Sequence, residues 1–173
     1  MVNLKKHANI ALGYFLLVGL LGVFLRFFFV TSLPMNFRYV VHAHSHIALL
    51  GWVYIGLTTL IYKMYFSEAS EGKIYKRIFW FTQITLLGML FTFPFTGYAL
   101  FSITFSTLFL FASYWLAWFV LKKVPKIHKS TYSFRCIKYS LLYMVVSISV
   151  PYVLGGVLCA IPLSRCRRSG GCS

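Results

Sequence analysis

Five apolar runs, each about long enough to cross a lipid bilayer, constrain this chain more than any other feature of its sequence. They cover residues 10–30, 42–65, 78–93, 98–121 and 141–163. A helix needs about 20 predominantly apolar residues to span the hydrocarbon core of a membrane. Backbone groups in lipid must be hydrogen-bonded within the protein, so such runs form helices. The sequence therefore predicts one all-α domain, residues 1–163, folded as a polytopic transmembrane helical bundle of about five spans.

The composition agrees with a membrane protein and argues against binding of nucleic acid. Hydrophobic residues make up 60% of the chain, and the only carboxylates are Glu68 and Glu71. The net charge of +15 comes from lysines and arginines that lie mostly between the apolar runs or near their ends. These are not interleaved with aromatic residues, as they would be on a surface that binds single strands. We expect membrane lipid as a partner, and no nucleic acid.

The positions of the basic residues predict which way the chain is inserted. Lys5 and Lys6 precede the first run, whereas the first and third connections carry little beyond Arg26 and Arg38. Basic residues are enriched in cytoplasmic loops. The second connection and the fourth, with the helix ends beside them, hold most of the other cations: Lys63, Lys73, Lys76, Arg77, Lys122, Lys123, Lys126, Lys129, Arg135 and Lys138. We therefore expect a cytoplasmic N-terminus and an outer histidine cluster. We also expect the protein to lie in a bacterial inner membrane.

The last ten residues differ in character from the rest of the chain. Residues 164–173 read "SRCRRSGGCS", a small, basic and cysteine-bearing segment that follows directly on the fifth apolar run. We interpret this tail as the product of a frameshift, a truncation or a cloning remnant. In the first two cases, residues 1–163 would be the front portion of a longer protein.

Three histidines at the start of the second run are the main candidates for chemistry. The segment "VVHAHSHIALLGW" holds His42, His44 and His46. On a helix, residues four apart lie on one face and residues two apart point to different sides. His42 and His46 can therefore share a face that His44 does not. Three interpretations are open: an interfacial cluster without a ligand, a metal site, and an axial ligand of haem.

The metal interpretation uses the spacing of four residues between His42 and His46. Two imidazoles in this register can bind zinc or copper, but such sites need a third or fourth ligand. His44 or a methionine would have to provide it. The protein would then be a metal-binding or metal-transporting membrane protein, although the apolar runs hold no carboxylates that could pass cations inward.

The haem interpretation uses the chemistry of an imidazole in an apolar, aromatic bundle. A neutral imidazole on a transmembrane helix suits haem iron as an axial ligand, and His/Met ligation also occurs. Arg26 and Arg38 are placed to meet the propionates, and Met89 in "LLGMLFTFP" is a candidate second ligand in the third run. Gln83, in the same run, is expected to donate an interhelical hydrogen bond.

The segment "HAHSHIALLGWVYIGLTTLIYKMY", with the helix and arginine-bearing connection before it, resembles the second transmembrane helix of haem-copper oxidase subunit I. That superfamily includes cytochrome oxidases and nitric-oxide reductases. The resemblance implies that a histidine here is an axial ligand of low-spin haem b, used for respiratory electron transfer. His46 fits the family's pattern best. In the family an arginine also lies a few positions before the histidine, and if Arg38 is that arginine, the ligand is His42. His44 is the third choice as ligand.

The resemblance covers only the first helices, which leaves enzymatic activity open. In the family, the second axial ligand, the copper ligands and the ligand of the active-site haem come from later helices that this sequence does not contain. His7, before the first run, and His128, in a basic connection, are not expected to replace them. The resemblance implies other respiratory subunits or an electron donor as partners. A structural subunit without a cofactor is a further alternative.

Overall fold

The computed structural model of the chain consists of five long helices, and it describes residues 2–66, 69–97 and 100–169. No strand occurs within these ranges. A short helix, Lys126–Lys129, precedes the last of the long ones. The predicted all-α architecture is confirmed by the helices α1 (Leu4–Phe27), α2 (Phe37–Tyr65), α3 (Ala69–Thr96), α4 (Leu100–Lys123) and α5 (Tyr132–Ser169).

All five helices contain a segment that is long and apolar enough to cross a membrane. In α3 the segment is Gly72–Phe95, and in α5 it is Tyr132–Leu154. Large apolar side chains such as Leu16 and Phe91 are exposed on the helix surfaces. Lipid tails are as apolar as these side chains, so their exposure suits a membrane protein. The five helices are compatible with an integral membrane protein.

The first two helices begin earlier than the apolar runs predict. The Asn3 side chain accepts a hydrogen bond from the backbone N–H of Lys6 (3.0 Å) and caps α1. Asn36 caps α2 by accepting one from the N–H of Arg38 (3.0 Å). Asparagine is a preferred N-cap residue because its oxygen satisfies a backbone donor of the first turn. The prediction that His7 precedes the first helix is therefore wrong, since His7 lies inside α1.

The third long helix, α3, continues beyond residue 93, where the third apolar run was predicted to end. Pro94 lies inside α3, which continues to Thr96. Prolines are tolerated within membrane helices because neighbouring groups satisfy the freed backbone carbonyl. Gly97 does end the helix, and its φ of +59° is a conformation that other residues rarely adopt.

The described chain divides into two compact units, Met1–His128 and Lys129–Ser173. In the first unit α3 packs against α4 and α2, and α2 packs against α1. Gly88 of α3 allows a close approach of the Phe105 ring from α4. The second unit holds α5, which continues beyond the predicted end of its span at residue 163. Residues 170–173 of the predicted tail lie outside the described residues.

The central part of α2, Ile47–Tyr54, is a π-helix rather than an α-helix. It begins directly after His46 and is followed by a further α-helical part, Ile55–Tyr65. In a π-helix each N–H bonds the carbonyl five residues earlier, so its turns hold more residues than α-helical turns. Such segments are rare and occur frequently at functional sites. A π-helix directly after His46 therefore favours a functional site near the histidines.

Candidate functional site

The three histidines of α2 lie in the turns just before the π-helical segment, and at least two of them face different helices. The His46 ring stacks on Phe93 of α3, with ring centroids 4.8 Å apart and planes inclined by 10°. His44 faces α1, where its Cε1 lies 3.3 Å from the position that a Cβ on Gly22 would take. His42 is half-buried, one turn before His46. His44 and His46 point to different sides of α2 because they are only two residues apart.

His44 carries a buried ring nitrogen without a partner. Its Nδ1 makes no hydrogen bond in the described structure. Burying a polar atom without a partner costs free energy, so such atoms call for an explanation. A neutral imidazole nitrogen without a hydrogen bond is also the form in which histidine binds a metal. This unpaired nitrogen distinguishes His44, the third choice from the sequence, and makes His44→Ala a necessary variant in any ligand test.

The remaining residues proposed for the haem lie near the same end of the bundle. Met89 is fully buried on α3, one turn before Phe93. Residues four apart share a helix face, so Met89 lies on the side of α3 that meets α2. Arg26 lies in the last turn of α1 and Arg38 in the first turn of α2, and both are exposed. The connection between these two helices brings the arginines to the histidine end of the bundle.

The three histidines do not form a metal-binding group. Among the residues described, no three or more His, Cys, Asp or Glu side chains come together in a way that could hold a metal ion. The reason is visible in α2, where His44 faces α1 and His46 faces α3. The alternative of a zinc or copper site built from all three histidines gains no support from this arrangement.

Another buried histidine, His7, lies near the opposite end of α1, and its burial was not predicted from the sequence. His7 is buried and stacks on Phe79 of α3, with centroids 3.6 Å apart and planes inclined by 10°. Its Nδ1 has no partner in the described structure. The signal that could have located it is Asn3, since a helix that begins at this cap includes His7 in its first turn.

Deeper in the bundle, Tyr14 of α1 and Gln83 of α3 form a buried polar pair, and the Tyr14 ring lies beside Gly51 of α2. The Tyr14 hydroxyl donates a hydrogen bond of 2.9 Å to Oε1 of Gln83. Gln83 thus joins α3 to α1, but it accepts this bond instead of donating it. Tyr14 was not singled out from the sequence, because tyrosine within an apolar run usually indicates packing.

Comparison with known proteins adds no assignment. No protein-family model, curated protein or solved structure matches this chain. The resemblance to haem-copper oxidases therefore rests on the sequence around His46, and the function has to be argued from the residues described above.

Proposed function

We propose that this protein binds a low-spin haem b through a histidine of α2, with His46 as axial ligand, and serves respiratory electron transfer in a bacterial inner membrane. The position of the cluster is the observation that supports the proposal most. Half-buried imidazoles lie within a candidate transmembrane helix, where its α-helical part changes to a π-helix. Ionisable residues within membrane spans are costly and usually functional.

The side chains near the cluster are of the types that haem needs. His46 lies against the aromatic ring of Phe93, and His44 has a buried nitrogen without a partner. Iron ligated by a neutral imidazole in apolar surroundings carries one electron at a time between its ferrous and ferric states. Arg26 and Arg38 would hold the propionates, and Met89 on α3 is the candidate second ligand. The choice of His46 over His44 comes from the sequence resemblance.

The test is a reduced-minus-oxidised visible spectrum of the detergent-purified protein, expressed with ample haem. We expect a low-spin b-type band that is lost in His46→Ala and altered in Met89→Leu. The matched control is His128→Ala, because His128 is an exposed histidine outside the spans. A band that survives His46→Ala but disappears in His44→Ala would contradict the choice of His46. A flat spectrum of the unsubstituted protein would contradict the haem proposal for this polypeptide.

The same samples distinguish the other functions. Elemental analysis for copper and zinc would show bound metal that falls in His42→Ala and His46→Ala if the protein were a metal-binding or transport protein. A structural subunit would show neither haem nor metal, and none of the histidine variants would change its spectrum. An electron donor or respiratory partner subunit would be sought only after a haem band is established.

A further inference from the structure

A stripe of exposed side chains runs along α3, and its character changes from basic to apolar. At about 100° per residue, its six members lie within about 40° of the direction of Lys73. They therefore form one face of the helix, which we call the α3 stripe. It includes neither the histidines nor their ring partners, so its role is independent of haem binding. The stripe consists of Lys73, Arg77, Trp80, Ile84, Leu87 and Phe91.

The basic end of the α3 stripe receives cations from two helices. The Nζ of Lys6, from α1, lies 5.3 Å from the centroid of the Trp80 ring. Arg77 is three residues before Trp80, so these two side chains are neighbours on the surface of α3. Lys73 and Arg77 are four residues apart, a spacing at which like charges on a helix repel each other. An anion bound beside Trp80 would offset this repulsion.

Cations outnumber carboxylates at this end of the bundle. Tyr62 of α2 stacks on Tyr75 of α3, with ring centroids 4.2 Å apart, so the end of α2 lies beside the start of α3. Lys63, in the last turn of this part of α2, therefore adds to the positive charge near the stripe. The two carboxylates of the whole chain, Glu68 and Glu71, are fewer than the exposed cations here: Lys6, Lys63, Lys73, Lys76 and Arg77. This excess favours a partner with negative charge.

The apolar part of the α3 stripe is about as long as one leaflet of a bilayer. Phe91 comes eleven residues after Trp80, which corresponds to about 16 Å along the helix axis. The hydrocarbon core of a bilayer is about 30 Å thick, so each leaflet contributes about 15 Å. Tryptophan is enriched at the boundary between headgroups and hydrocarbon. A lipid tail can therefore lie against Ile84 and Leu87 while its headgroup is level with Arg77.

We propose that the α3 stripe is a binding site for an anionic phospholipid, whose phosphate is held by Lys6, Lys73 and Arg77 and whose acyl chain lies along Ile84 and Leu87. Lysine and arginine form strong, charge-assisted hydrogen bonds with phosphate oxygens. A lipid suits the stripe because cations, tryptophan and apolar side chains follow one another along a single face. A second copy of the chain on the same face would have to bury the charges of Lys73 and Arg77, which is costly.

Quenching of Trp80 fluorescence by brominated lipid tests the site in the full chain. Trp52→Phe, Trp115→Phe and Trp118→Phe together leave Trp80 as the only tryptophan. This variant is reconstituted in phosphatidylcholine bilayers that contain a small fraction of brominated phosphatidylglycerol or of brominated phosphatidylcholine. We expect the anionic lipid to be preferred at Trp80 by about fivefold or more, the factor that one basic residue contributes near an anionic membrane surface. Equal quenching by the two lipids would overturn the proposal.

Two double variants locate the preference. Lys73→Gln with Arg77→Gln should bring it close to parity. The matched control is Lys122→Gln with Lys123→Gln, at two exposed lysines in the last turn of α4, which should leave it unchanged. Equal losses in the two double variants would show a diffuse attraction, and weak quenching by both lipids would show that another copy covers the stripe; either result overturns the proposal. Native mass spectrometry of the chain with all four tryptophans measures the same preference if the triple variant does not fold.

Discussion

Removal of the Tyr14 hydroxyl tests whether the buried bond to Gln83 holds α1 against α3. Tyr14→Phe deletes the donor of a 2.9 Å hydrogen bond and leaves Oε1 of Gln83 buried without a partner. Interhelical hydrogen bonds in membranes are worth about 0.6 kcal/mol on average and up to about 1.7 kcal/mol. An acceptor left unsatisfied costs about 1–3 kcal/mol. We expect Tyr14→Phe to lower the free energy of unfolding by about 1–2 kcal/mol.

The assay is reversible unfolding in mixed micelles with increasing sodium dodecyl sulfate, followed by the fluorescence of the four tryptophans. A double-mutant cycle with Gln83→Leu isolates the pair, because each single change removes the same bond. We expect a coupling energy of about 0.6–1.7 kcal/mol between the two positions. Purely additive effects of Tyr14→Phe and Gln83→Leu would refute the reasoning.

Three further substitutions test other contacts by the same unfolding assay. Gly97→Ala should destabilise the protein by at least about 1–2 kcal/mol, because its φ of +59° disfavours a side chain and a Cβ there would also meet the Tyr39 ring. Gly56→Ala, in open space, is the control, and equal effects of the two would count against both causes. Gly88→Leu should cost about 1–3 kcal/mol by pushing on Phe105, and Phe105→Ala in the same chain should restore part of the loss. Asn3→Ala should cost about 1 kcal/mol through loss of the cap on α1, and an unchanged midpoint would show that the cap is unimportant.

The helical architecture could be predicted from the sequence because a membrane leaves few alternatives to a helix for a long apolar run. The boundaries were less accurate. Asn3 and Asn36 begin helices within polar segments, where hydropathy gives no signal and only cap chemistry does. The third run was ended at residue 93, before Pro94, because proline breaks helices in water, whereas Pro94 lies within α3.

At the candidate site, the sequence predicted the directions of two histidines but not the residues that surround them. The spacing of His44 and His46 was enough to direct them to different sides of α2. Their neighbours, Gly22 and Phe93, come from other helices and depend on packing that a single sequence does not reveal. The π-helical segment that follows His46 was not predicted either, because its residues read as an ordinary apolar run.

The π-helical segment Ile47–Tyr54 separates two ring contacts of α2, that of His46 with Phe93 of α3 and that of Tyr54 with Phe109 of α4. Each residue of an α-helix turns the chain by about 100°. Deleting one residue from the segment would therefore rotate His46 and Tyr54 relative to each other, so that the contact with Phe93 or the contact with Phe109 would be lost. The length of this one segment thus determines whether α2 can pack against α3 and α4 at the same time.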